Sequence, residues 1–182
     1  RLLLFVIFHS IFYFFQEEDI FLYCLLGYFM ESIYVSLFQR HWISSGLLKG
    51  PFIPLYGVGA CLLIYFAPYL KSSIYLTIFV GGFMMTILEY LASLFIEKVF
   101  ETKCWDYSHH RFHIQGRVCL IYFIMWCCLS YLFIFYIHPF FISLHFINDT
   151  MNIIALIYMA FILKALIDRL QFHKLNNGLD IH

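Results

Sequence analysis

Five nearly unbroken apolar runs, at 20–38, 54–70, 73–95, 118–137 and 151–167, constrain this chain more than any other feature. Each has about the length a helix needs to cross the roughly 30 Å hydrocarbon layer of a bilayer. Lipid offers the backbone no water to bond to, so each run must close its own hydrogen bonds as a helix. A water-soluble fold does not suit the composition. Of the 182 residues, 63% are hydrophobic and 12% charged, whereas an ordinary soluble domain carries about 25% charged residues. The expected fold is all-α, a single polytopic transmembrane bundle over 1–182 with five spans and a short sixth over 2–15. That leading run covers about 20 Å as a helix and has no small-residue cleavage site of the kind that ends a signal sequence.

Orientation follows from the basic residues, because positively charged short loops stay cytoplasmic during insertion. The loop between 20–38 and 54–70, the loop between 73–95 and 118–137, and the C-terminal tail together hold Arg40, Lys49, Lys98, Lys103, Arg111, Arg117, Arg169 and Lys174. The opposite side has Lys71 beside Glu17, Glu18, Asp19 and Asp149. The expectation is a multi-pass protein of the cell membrane, in contact with the lipid bilayer, with both long loops and the C-terminus in the cytoplasm.

Two carboxylates fall inside the apolar runs. Glu31 and Glu89 each lie about 10 Å below the cytoplasmic ends of their helices, taking 1.5 Å per residue. A charge at such depth costs about 3 kcal/mol or more, so it normally faces the bundle interior and finds a partner or a proton. Glu89, Ser93 and Glu97 recur at four-residue spacing and so share one helix face. Arg117 opens the 118–137 run at the same surface, where its guanidinium can fork onto Glu89 or Glu97. Tyr56, Tyr90 and Tyr107 arrive at that level from two helices and the second loop. Either the set is an inter-helix polar clamp or it lines a cavity open to the cytoplasm. A clamp for one arginine needs one acid, and two acids at matching depth favour the cavity.

The remaining features have plainer explanations. Gly57-Val58-Gly59 and Gly81-Gly82 suit close helix approach. The six cysteines form no CxxC pair and read as small packing residues. His109, His110 and His113 crowd one loop with Asp106, but adjacent histidines point apart, so no metal or other cofactor is expected. The balanced charge, eleven basic against eleven acidic residues, gives no patch for nucleic acid. His138-Pro139 is expected to end its helix, and Lys164 with Asp168 reads as a surface pair at helical spacing.

Several strings taken in order resemble a known family. They are Met30-Glu31-Ser32; Gly46-Leu47-Leu48-Lys49-Gly50-Pro51-Phe52-Ile53-Pro54-Leu55-Tyr56-Gly57-Val58-Gly59; Glu89-Tyr90-Leu91-Ala92-Ser93 with Glu97; Trp105-Asp106-Tyr107-Ser108; and Gly116-Arg117-Val118-Cys119-Leu120. Together, from about Gly27 to His138, they are similar to the ABC-transporter type IV, or CmpB-like, family of small bacterial membrane proteins. Met30 stands where that family has Trp, and Ile114 where it commonly has Asn; neither change removes a charge. The resemblance implies a permease working with a separate ATPase subunit. No GxxxxGK[ST] sequence occurs in this chain, which therefore does not hydrolyse ATP in the P-loop manner.

Three functions fit these residues. In the first, a transporter or permease subunit, Glu31 and Glu89 bind a cation, a proton or a cationic or amphipathic substrate in a cytoplasm-facing cavity, with Arg117 tuning them. A homo-oligomer or heteromer then supplies further walls. In the second, a membrane enzyme uses one acid as general base on a lipid or prenyl substrate whose phosphate Arg117 holds. In the third, a non-catalytic assembly or regulatory subunit uses the polar set as a clamp.

Overall fold

A computed structural model of the protein describes residues 17–144 and 149–179. Helix α1 spans Glu17–Gln39, α2 Pro54–Leu70 and α3 Ile74–Phe100. A two-residue antiparallel ladder follows, β1 His113–Ile114 with β2 Val118–Cys119. Then come α4 Leu120–Leu132, a π-helical turn Phe133–Ile137, α5 His138–Ser143 and the long α6 Asp149–Leu179.

The described residues are predominantly helical, as the composition requires. Among the described residues three helices are long and apolar enough to cross a bilayer: Ile20–Gln39, Ile74–Phe100 and the continuous stretch Leu120–Ser143. The run at 54–70 forms α2, a 17-residue apolar helix covering about 25 Å, short of a full crossing. The run at 151–167 lies inside α6, and the run at 2–15 lies outside the described residues.

Helix α2 is short because the segment before it turns back along α1. The Ile43 and Ser45 amides donate to the hydroxyls of Ser36 and Ser32, at 2.9 and 3.1 Å, and the Ile53 amide to the Cys24 carbonyl at 3.3 Å. The loop thus descends from the level of Ser36 to that of Cys24, about 18 Å of helix rise. A loop at that depth leaves backbone groups out of water, and the hydroxyls of Ser32 and Ser36 in α1 supply two of the partners, while the Tyr28 hydroxyl lies 3.0 Å from Ser44 Oγ. Leu48 and Phe52 of the loop are buried with Ile20 and Cys24 under α6. Tyr158 of α6 packs edge-on against Phe52 and donates to the Pro51 carbonyl at 2.7 Å.

Helices α1 to α4 pack in antiparallel succession. Leu63 of α2 meets α3 near Gly81, and Gly82 lies against the backbone of Cys127 in α4. At the far end of α4 the expectation for His138-Pro139 is corrected. Pro139 has no N–H to continue an α-helical ladder, but the helix widens into the π-turn just before it, where His138 donates to the Phe133 carbonyl, and then continues to Ser143. Tyr23 Oη ties this turn to α1 through His138 Nδ1 at 2.8 Å.

Candidate functional site

Glu89 is buried on α3, 4% exposed. Its Oε2 accepts from Trp126 Nε1 of α4 at 2.9 Å, and its Oε1 from the Tyr107 hydroxyl of the second loop at 3.0 Å. Both donors are neutral. Burial first, and the adjacent carboxylate second, push the Tyr107 phenol above its ordinary pKa, so it remains a proton donor to Glu89 across the physiological range. The ring also stacks on Tyr122, with centroids 4.3 Å apart.

Glu31 sits across the bundle on α1. The Ser45 hydroxyl of the returning loop donates to its Oε1. The Tyr56 hydroxyl of α2 lies within electrostatic reach of Glu31, and Glu89 within reach of both. Tyr56 stands where it does because Gly27 of α1 leaves room for its ring. The two acids and Tyr56 thus lie within electrostatic reach of one another, and neither acid takes a basic side chain as its hydrogen-bonding partner among the described residues.

Arg117 is committed elsewhere. Its guanidinium pairs with Glu97 and donates to Ser93 Oγ at 3.0 Å. Of the two acids open to it on the sequence, it takes Glu97, one turn beyond Ser93 on the same face of α3. Tyr90 does not join the acids either, since its hydroxyl donates to Gln115 Oε1 at 3.0 Å.

The second loop is a frame that delivers Tyr107. Trp105 Nε1 donates to the Arg117 carbonyl at 2.9 Å, and the Tyr107 amide to the Gly116 carbonyl at 2.7 Å. Asp106 Oδ1 accepts from the Ser108 amide at 2.9 Å, a bond that lowers the Asp106 pKa. Gly116 has φ of +69°, and a Cβ there would stand 2.6 Å from Asp106 Oδ1. Gly116→Ala is therefore expected to loosen the frame by about 1 kcal/mol or more, read as faster protease cleavage between Tyr107 and Val118; an unchanged rate would contradict this role. In the first loop, Gly50 and Pro51 offer their carbonyls to the Phe52 amide and to Tyr158, and Lys49 is exposed, so this trio shapes the loop and does not meet the acids.

Sequence reasoning missed Trp126 and Ser45, the donors that complete the two acids. Trp126 lies in an apolar run where an indole reads as packing. Its only signal is that a buried indole N–H needs an acceptor. Ser45 becomes visible only once the loop is known to turn back.

No curated protein and no solved structure matches the chain. A protein-family model does match it over residues 19–169, and its description reads "Putative ABC-transporter type IV". The match takes in both acids, both loops and most of α6. The chain belongs to the ABC-transporter type IV (CmpB) family.

Proposed function

We propose that this chain is the membrane subunit of a transporter, in which Glu31, Tyr56 and Glu89 form one cation-binding site opening to the cytoplasm. The observation that carries the reading is how the acids are served. Two carboxylates inside the bundle hold hydroxyl and indole donors, while the nearby arginine is paired with Glu97. Neutral donors orient a carboxylate and leave its charge uncancelled, so a cation or proton that enters meets two acceptors. A pure clamp would spend Arg117 on Glu89. The lipid-enzyme reading loses the group that was to hold a phosphate.

The family description supports a transport role, and the basic loop residues support cytoplasmic loops and C-terminus. In this reading α2 with its returning loop, and α6, join the three long helices to make five spans. The run at 2–15 adds a sixth, and the chain forms one domain. ATP hydrolysis belongs to a separate subunit, and pairing with a second copy or another membrane chain completes the pathway.

The test is charge displacement on a solid-supported membrane after a tetramethylammonium jump. The wild-type chain and Arg117→Ala should both give a transient current, whereas Glu31→Gln should lose roughly tenfold or more in apparent affinity. Equal signals from wild type and Glu31→Gln would remove the reading.

A further inference from the structure

A crevice of about 80 Å³ runs between α1 and α4, with Leu26 and Met30 on one wall and Leu129 and Phe133 on the other. Its volume equals several water-sized spheres, enough for a segment of a single hydrocarbon chain. Met30, which lines it, is 44% exposed on the side that faces lipid in the proposed arrangement. Tyr56 and Trp126 also line it, with ring centroids 5.8 Å apart. Both rings adjoin the acids: Trp126 Nε1 donates to Glu89 at 2.9 Å, and Tyr56 lies within electrostatic reach of Glu31.

Resting on the cation-site reading above, we propose that the site takes a single-chain amphipathic cation, with its ammonium head against Tyr56 and Trp126 and its alkyl chain in the crevice. Aromatic faces attract quaternary ammonium groups through their quadrupole, most strongly away from water. Donating the indole N–H to a carboxylate draws electron density into the Trp126 ring. Glu31 and Glu89 stand behind the two rings and supply the opposite charge. The walls match the chain and the floor matches the head, so such a molecule can enter sideways from the bilayer without its tail leaving an apolar medium. An anionic lipid head would face both carboxylates, and a neutral lipid would gain nothing from them.

The experiment is photo-crosslinking in phosphatidylcholine nanodiscs with an octyltrimethylammonium carrying a diazirine in its chain, with adducts mapped by mass spectrometry. The expected adducts concentrate on Leu26, Met30, Leu129 and Phe133. They should fall roughly tenfold with the corresponding diazirine alcohol and in Glu31→Gln. A crevice-filling Leu129→Trp, or Leu26→Trp should the first not fold, should lose these adducts. Adducts spread evenly over lipid-facing residues such as Phe79, Phe83 and Phe95, and unchanged in Glu31→Gln, would overturn the proposal. If the tetramethylammonium current nonetheless still depends on Glu31, the cation site stands and its amphipathic substrate falls. If the current fails too, both fall.

Discussion

Glu89→Ala is expected to abolish the cation-dependent current and to lower thermal stability in detergent. The substitution leaves Trp126 Nε1 and the Tyr107 hydroxyl facing a gap with no acceptor. Each orphaned donor costs about 1–3 kcal/mol. Relief from burying a carboxylate offsets part of that, so the net loss should be about 2 kcal/mol. The functional loss is larger because one of two acceptors at the site disappears. Trp126→Phe should fall between, since Glu89 then keeps Tyr107. A Glu89→Ala protein with wild-type current would mean that the buried acid is a packing element.

Gly82→Leu is expected to be the most damaging single change to the fold. A Cβ at residue 82 would stand 2.9 Å from Cys127 Cα and 3.0 Å from its amide nitrogen. These are backbone atoms and cannot rotate aside, so α3 and α4 must separate along their whole contact. Overpacking of this kind costs about 1–3 kcal/mol and occasionally more, and the leucine adds three carbons beyond the Cβ. The damage should reach the site as well, because Glu89 and Trp126 bond across the same helix pair about two turns away. Thermal unfolding monitored by near-ultraviolet circular dichroism would check it; an unchanged midpoint would contradict the close approach.

Much of this could be read in the sequence because lipid is so restrictive a solvent. Apolar runs of fixed length give helices, and a carboxylate inside one must face other protein. Those two rules located α1, α3 and α4 and brought out Glu31 and Glu89. The spacing of Glu89, Ser93 and Glu97 gave Arg117 its face of α3, though not its choice of acid. That choice depends on where the ladder His113–Ile114 with Val118–Cys119 sets the start of α4. An all-helical expectation had no place for this ladder. The descent of residues 40–53 along α1 was also hidden. Serine hydroxyls serve the returning backbone, and serines in an apolar helix look like ordinary packing residues. The π-turn escaped notice because Pro139 signals a helix end, and only a widened turn just ahead of it lets the helix run on.

The central claim is that Glu31 and Glu89 act as one site through Tyr56. The most direct test is a double-mutant cycle on tetramethylammonium affinity in nanodiscs, using Glu31→Gln, Glu89→Gln and the pair together. A shared site predicts that the double mutant binds little more weakly than the worse single mutant, because either change removes the two-acid arrangement. Losses that simply multiply would mean two independent carboxylates and would contradict the account.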